Sequence, residues 1–323
     1  MRYIIYGAGA IGGSIGARLL QQGLDVVLIC RGAHLEKVRR GGLTFCTPEE
    51  STVLPINAVG HPAEVEFTND DVVLLTMKSQ DTLAALNELR LVAPDVPVVC
   101  AQNGVANERM ALRLFERVYA MLVVLPGTHL EPGEVLMHSS TVGGVLDAGR
   151  YPSGVDPLIE RVCADITASG FSSRPDPQVM RLKYAKLLGN LGNAVQALCK
   201  QDDAAGELTR HLRDEAVACY RAAGIEFASG AELFQGRGVD VTRGSIAGRE
   251  RGGGSSWQSL ERRAGSIETD YLNGEIVLLG ALHGVPTPYN RVVQRAAATA
   301  VVEERAPRSL DAKVLLRDGE ARG

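Results

Sequence analysis

The six cysteines of this 323-residue chain include no C-x-x-C pair, which excludes the zinc-binding and thiol-exchange signatures that such pairs announce. Cys30, Cys46, Cys100, Cys163, Cys199 and Cys219 are scattered, several of them inside apolar runs, so reduced thiols acting as small hydrophobes are expected and a metal centre is not. No stretch reaches the roughly 18 to 20 apolar residues of a membrane span. Nor does a charged and then apolar leader precede the first β-prone run. The expectation is a cytoplasmic protein with no membrane partner. A basic excess is missing too: 34 Lys and Arg stand against 38 Asp and Glu, a formal net charge of −4. That balance argues against a nucleic-acid partner. There is no long run of like charge and no internal repeat.

Hydrophobic residues make up 45% of the chain, so a packed protein is expected, and the length suits two domains better than one core. Near the amino terminus, "YGAGAIGGSIG" follows the apolar run Tyr3, Ile4, Ile5 and leads into a segment that reads as a helix to Gln22. Gly7, Gly9 and Gly12 fit G-x-G-x-x-G between strand and helix, the context a dinucleotide site requires. The first glycine allows the tight turn, the second lets the backbone approach a pyrophosphate, and the third lets the helix pack on the strand. The expected cofactor contacts are therefore Gly7, Ala8, Gly9, Ala10, Ile11 and Gly12, with the free N–H groups of the helix amino terminus facing the phosphates. The alternative is a purely conformational set of glycines.

The next strand, Val26 to Cys30, ends at Arg31, where an NAD-preferring site usually carries a carboxylate for the ribose hydroxyls. A guanidinium cannot accept those bonds but pairs with a 2′-phosphate, so NADP(H) is the expected cofactor. The competing reading is an arginine merely exposed at a strand end.

Strand and helix patterns then alternate. "DDVVLLTMKSQ" and "VPVVCAQNGV" read as buried parallel strands whose carboxyl ends carry Lys78 and Asn103, the place where such sheets bind ligands. From about Asp176 the texture is helix after helix. The fold expected is an α/β Rossmann-type doubly wound parallel sheet followed by an all-α C-terminal domain, with residues 1–172 binding NADP, 173–306 forming the helical substrate domain and 307–323 a tail. The glycine- and hydroxyl-rich stretch 244–266 reads either as a linker or as a mobile segment over a site.

In "MRLKYAKLLGNLGNAVQALCK", Lys186, Asn190 and Asn193 stand at i, i+4 and i+7 and share one helix face beside many leucines. They could form a structural polar seam. Alternatively they do chemistry: hydride transfer to a carbonyl leaves negative charge on oxygen, and a lysine can both stabilise that charge and deliver a proton. Glu268, at the start of the helix-like "IETDYLNGEIVLLG", is a candidate to orient it.

Taken together, the glycine turn with Arg31, "MKSQ", "QNGV", "KLLGN", "SSWQSL" and "IETDYLNGEIVLLGALHGVPTP" resemble the ketopantoate reductase (2-dehydropantoate 2-reductase) family over residues 1 to 305. The resemblance implies a 6-phosphogluconate-dehydrogenase-like fold with the active site in a cleft between the two domains. It also implies reduction of 2-dehydropantoate to (R)-pantoate on the way to pantothenate and coenzyme A. By position, Lys186 matches the family's catalytic lysine, Asn103 the asparagine near nicotinamide and substrate, and Asn190 the first substrate-side asparagine. Ser256 matches the serine that holds the substrate carboxylate, Glu268 the active-site glutamate, and Lys78 and Arg31 residues that serve NADP. One departure stands out: the family's second asparagine falls at Ala194, and the amide is Asn193 instead, turned by about 100° on a helix. The substrate expected is 2-dehydropantoate, with the reduction of another small 2-oxo acid or the reverse oxidation of a 2-hydroxy acid as the alternative. A non-catalytic NADP-binding sensor is the alternative of another class, and a homodimer through the helical domain is expected.

Overall fold

Three short runs rich in valine, isoleucine and leucine lie side by side at the centre of the amino-terminal sheet: β1 (Arg2–Tyr6), β2 (Asp25–Ile29) and, later in the chain, Asp71–Leu75. Ile4, Ile5, Leu28, Val73 and Leu74 have no solvent exposure, as expected of parallel strands covered on both faces. Each such side chain contributes about 1.5–3 kcal/mol by leaving water. The computed structural model describes residues 1–139, 141–233, 241, 244–246, 248–249 and 252–322. Two compact units emerge from its contacts, Met1–Lys183 with Ala231–Glu250, and Tyr184–Gly230 with Arg251–Gly323.

In the first unit, β1 is followed by α1 (Ala10–Gln21), β2 by α2 (Gly32–Gly41), and then come β3 (Leu43–Cys46), β4 (Ser51–Leu54) and β5 (Asn57–Val59). The chain continues through β6 (Asp71–Leu75), α3 (Ser79–Leu89), β7 (Val98–Cys100), α4 (Asn107–Leu112) and β8 (Val118–Met121). Last are β9 (Gly127–Thr128), β10 (Glu134–Met137), β11 (Ala148–Arg150) and α5 (Pro157–Ala168). The main sheet runs β11-β8-β7-β6-β1-β2-β5, parallel except for the edge strand β11, which pairs antiparallel with β8. The order reverses at β1, which pairs with β2 on one side and β6 on the other. At the far end of these strands, Arg2 clasps the buried carboxylate of Asp71 with two hydrogen bonds of 2.7 Å.

The doubly wound sheet expected from the sequence is therefore present, with one addition. Segments Leu43–Cys46, Ser51–Leu54, Gly127–Thr128 and Glu134–Met137 leave the main sheet and form a second one, in the order β4-β3-β10-β9. Helix α1 packs against β1 and β2 on one side and against β3, β9 and β10 on the other. The stretch "GEVLMHSSTVGGVL" supplies β10 to the smaller sheet. Period-two patterning marks a strand but not the sheet it joins.

Helix α6 (Val179–Asn190) begins in the first unit and ends in the second, the division falling between Lys183 and Tyr184 and not at the expected 172/173 junction. The second unit is helical: α7 (Gly192–Leu198), α8 (Asp203–Ala222), α9 (Ser255–Glu261), a 3-10 turn at Glu268–Tyr271, α10 (Asn273–His283) and α11 (Pro288–Val302). Helix α8 is capped by the Asp202 carboxylate, which accepts from Ala205 N at 3.0 Å, and it packs on α10 and α11. Residues 307–323, read as a tail, contain α12 (Ala312–Glu320), which lies on α8 and α11 with Leu315 and Leu316 buried. Gly319 leaves room there for the Tyr289 ring, itself stacked on His211 at 4.3 Å. Among the described residues no helix is long and apolar enough to cross a membrane.

Candidate functional site

Strand β1 ends at Tyr6, and the glycine turn starts at once. Gly7 takes φ +105, which an L side chain rarely adopts, and a Cβ there would stand 2.6 Å from Met77 N. At Gly12 a Cβ would meet Thr76 Oγ1 at 2.3 Å and Gly7 O at 2.4 Å, so the helix can lie this close to β1 and β6 only without a side chain. Gly9 differs: the single atom within 4 Å of its Cβ position is His129 Cδ2, at 4.0 Å. The first and third glycines are filled against protein, and the second faces open space.

Gly9 is also the N-cap of α1, with no side-chain cap and no acidic residue in the first turn. Ala10 and Ile11 open the helix and Ala8 is buried beneath it. Unsatisfied N–H groups, the positive end of the helix dipole and an open face at Gly9 together fit a pyrophosphate. Arg31 is the N-cap residue of α2, its side chain 85% exposed and 3.2 Å from the Asp81 carboxylate. The end of β6 places Lys78 as the N-cap residue of α3, and the end of β7 leads to Asn103; both are half-buried. Gly7, Lys78 and Asn103 thus follow the carboxyl ends of three adjacent strands, β1, β6 and β7, where the strand order reverses.

Buried hydrogen bonds tie these loops together. Gln102 Nε2 donates to Met77 O at 2.8 Å and to Thr82 Oγ1 at 2.7 Å. Thr82 Oγ1 donates to Asn107 Oδ1 at 2.9 Å, and Asn107 Nδ2 donates to Ser79 Oγ and to Asn103 O, both at 3.0 Å. The sequence reading missed Gln102, Thr82 and Asn107, which belong to segments up to 25 positions apart. It also missed Lys183, whose ammonium is 2.5 Å from Glu108 Oε1, with side-chain exposures of 2% and 0%. No local signal singles it out, since α6 carries Arg181 and Lys186 as well.

In the second unit, α6 ends at Asn190 and α7 starts at Gly192, so the single helix face expected for Lys186, Asn190 and Asn193 is interrupted at Leu191. Leu191 keeps helical angles (φ −59, ψ −31), and the rotation therefore carries across nearly unchanged. Asn273 Nδ2 donates to Leu191 O at 3.2 Å and to Asn290 Oδ1 at 3.0 Å, which fixes this junction to α10 and α11. Ala194 is buried, whereas Asn193 is half-exposed with its Oδ1 3.8 Å from the Cβ position of Gly254. Helix α7 thus meets the segment leading to Ser256, and Gln196 Oε1 accepts from Gly254 N at 2.8 Å.

Ser256 lies in the first turn of α9 and Glu268 opens the 3-10 turn, not the long helix expected; both are buried. Four buried polar atoms of this unit have no hydrogen-bond partner among the described residues: Asn190 Nδ2, Ser256 Oγ, Thr269 Oγ1 and Asn273 Oδ1. Such atoms cost about 1–3 kcal/mol each, a cost that a polar ligand would offset. Of the glycine-rich stretch 244–266, Ala247, Glu250 and Arg251 lie outside the described residues. Gly252 and Gly253 pack against the Trp257 ring, where a Cβ would stand 2.3 and 2.5 Å from ring atoms. Arg308 Nη2 donates to Gly252 O at 2.8 Å. These glycines have a packing reason.

The family model for ketopantoate reductase PanE/ApbA matches residues 3–152, and the model for its C-terminal part matches residues 178–300. The 2-dehydropantoate 2-reductase of Pyrococcus horikoshii is 28% identical over 298 residues, covering 90% of this chain and 94% of that protein. That of Caulobacter vibrioides is 29% identical over 301 residues, covering 90% and 95%. A crystal structure of a PanE/ApbA family ketopantoate reductase from Ralstonia eutropha, 27% identical, matches with a TM-score of 0.77 over 94% of this chain and 100% of that one. D-mandelate dehydrogenase with NADH and anilino(oxo)acetate, 20% identical, shares the fold at a TM-score of 0.79 over 95% and 100%. With both halves of the chain matched, this protein belongs to the ketopantoate reductase family of nicotinamide-dependent oxidoreductases.

Proposed function

We propose that this protein reduces 2-dehydropantoate to (R)-pantoate with NADPH, a step that serves pantothenate and coenzyme A synthesis in the cytoplasm. The observation that carries the reading is the gathering of the Gly9 turn, Lys78 and Asn103 at the carboxyl ends of β1, β6 and β7. Bound NADPH supplies the hydride. Gly7, Ala8, Gly9, Ala10, Ile11 and Gly12 hold its pyrophosphate, Arg31 pairs with the 2′-phosphate, and Lys78 adds a second cation.

Lys186 donates a proton to the substrate oxygen as negative charge develops on the former carbonyl, and then recovers one from water. Glu268 orients that ammonium and borders the cofactor. Asn103 fixes the carbonyl, Asn190 and Asn193 bind the polar groups of the substrate, and Ser256 donates to its carboxylate. The orphaned Asn190 Nδ2 and Ser256 Oγ support this assignment, since a carboxylate and a hydroxyl would satisfy them. In this reading the first unit binds the cofactor and the second binds the substrate. The dimeric ketopantoate reductase of Staphylococcus aureus shares the fold, and a homodimer is proposed for this chain on the size of its helical unit.

A second reading is favoured by one observation. Ala194 stands buried where the family pattern places its second asparagine, and Asn193 turns toward Gly254 instead. A different small 2-oxo acid is then the substrate. The test is NADPH oxidation with 2-dehydropantoate beside branched and unbranched 2-oxo acids. Turnover selective for 2-dehydropantoate is the expected result; selectivity for another acid establishes the second reading. NADPH binding without turnover of any 2-oxo acid would overturn both and leave a cofactor-binding sensor.

A further inference from the structure

We propose that the buried pair Lys183–Glu108 is a positioning clamp for the loop that carries Asn103. The Lys183 ammonium has three N–H donors, and three acceptors surround it: Glu108 Oε1 at 2.5 Å, Gln102 O at 2.9 Å and Cys100 O at 3.4 Å. No donor is left over for a substrate. Lys186 stands one helical turn further along α6.

The three acceptors span the loop. Cys100 is the last residue of β7, Gln102 precedes Asn103, and Glu108 lies in the first turn of α4. One ammonium thus draws both ends of the segment 100–108 to the same point, with Asn103 between them. Gln102, whose carbonyl is held by Lys183, uses its side chain to hold Met77 O, next to Lys78.

Burying two charges is an expensive way to hold a loop. A well-packed apolar pair of similar volume serves stability as well or better. An apolar pair cannot, however, bind two backbone carbonyls and a helix start in a fixed direction. The geometry points to orientation as what the pair supplies. Its effect on catalysis rests on the reading of Asn103 as the residue beside the reacting carbonyl.

The experiment compares the double variant Lys183→Met, Glu108→Leu with the wild type in thermal stability, NADPH affinity by fluorescence titration, kcat and KM. Expected are a melting temperature near that of the wild type, NADPH affinity and KM within about twofold, and kcat lower by about ten- to a hundredfold, the scale of a loop displaced by about 1 Å. A stable double variant with wild-type kcat would overturn the clamp. If the double variant does not fold, Glu108→Gln and Glu108→Ala decide. Gln keeps an acceptor for Lys183 and should hold kcat within about twofold of wild type, whereas Ala should lower it at unchanged KM; equal kcat in the two overturns the proposal. Asn103→Ala is measured alongside. Wild-type turnover in that variant would remove the role of Asn103 while leaving the comparison at Lys183 independent.

Discussion

A Cβ on Gly12 would stand 2.3 Å from Oγ1 of Thr76, whereas a Cβ on Gly9 would meet no atom nearer than 4.0 Å. The two glycines of one turn therefore serve different ends, packing and access. Gly12→Ala should cost about 1–3 kcal/mol of stability through overpacking. Gly9→Ala should cost under about 1 kcal/mol as a cap change, yet lose much of the NADPH affinity. Thermal melts and NADPH titrations of both variants check this. A Gly9→Ala protein that binds NADPH normally would contradict the cradle.

Arg31 and Asp81 form an exposed ion pair at 3.2 Å, a kind worth about 0.2–1 kcal/mol. Arg31→Asp should weaken NADPH far more than NADH. Asp81→Asn releases the guanidinium and should tighten NADPH by up to about fivefold, with no gain for NADH. Titrations with both cofactors decide the matter: equal losses for the two in Arg31→Asp would mean that Arg31 does not read the 2′-phosphate.

How much of this was legible in the sequence depended on range along the chain. The glycine turn, Lys78 and Asn103 were readable because each depends on the residues immediately around it, strand before and loop or helix after. The clamp was not, because Lys183 and Glu108 are 75 positions apart and neither carries a local signature. The second sheet escaped for the same reason: β9 has two residues and acquires meaning only by pairing with β10. The end of the chain was read as a tail because α12 is only nine residues long, and its burial comes from α8 and α11. The break at Leu191 is held by Asn273, 82 positions away, and no helical periodicity could announce it.

Glu215 offers a pH test of the helical unit. Burial raises its pKa, against the lowering effect of N–H donors from Tyr289 and Asn290 and of the Asn290 side chain. The folded protein then keeps this proton to higher pH than the unfolded chain. The group's contribution is fully present below the ordinary value of 4.5 and is lost as pH rises through the folded value. The stability of the wild type relative to Glu215→Gln should therefore fall as pH rises from below 4.5 and then level off. A relative stability that grows with pH would contradict the burial argument.

All six thiols are buried and unpaired as disulfides. Burial pushes Cys30, Cys199 and Cys219 up to about 11 and raises Cys100 and Cys163 as well. These five carry little thiolate at about pH 8 and Cys46 is shielded by burial, so an aromatic disulfide reagent should react slowly with the native protein and rapidly with six thiols once denaturant is added. Rapid labelling of a native thiol would show that its segment opens readily.

Lysine-assisted hydride transfer stands or falls on the turnover of Lys186→Ala, measured beside its NADPH affinity. The expected kcat is lower by about two to four orders of magnitude with NADPH binding nearly intact, because a general acid acts on the reacting oxygen and not on the cofactor. Near-normal turnover would contradict it and take Lys186 out of the reaction.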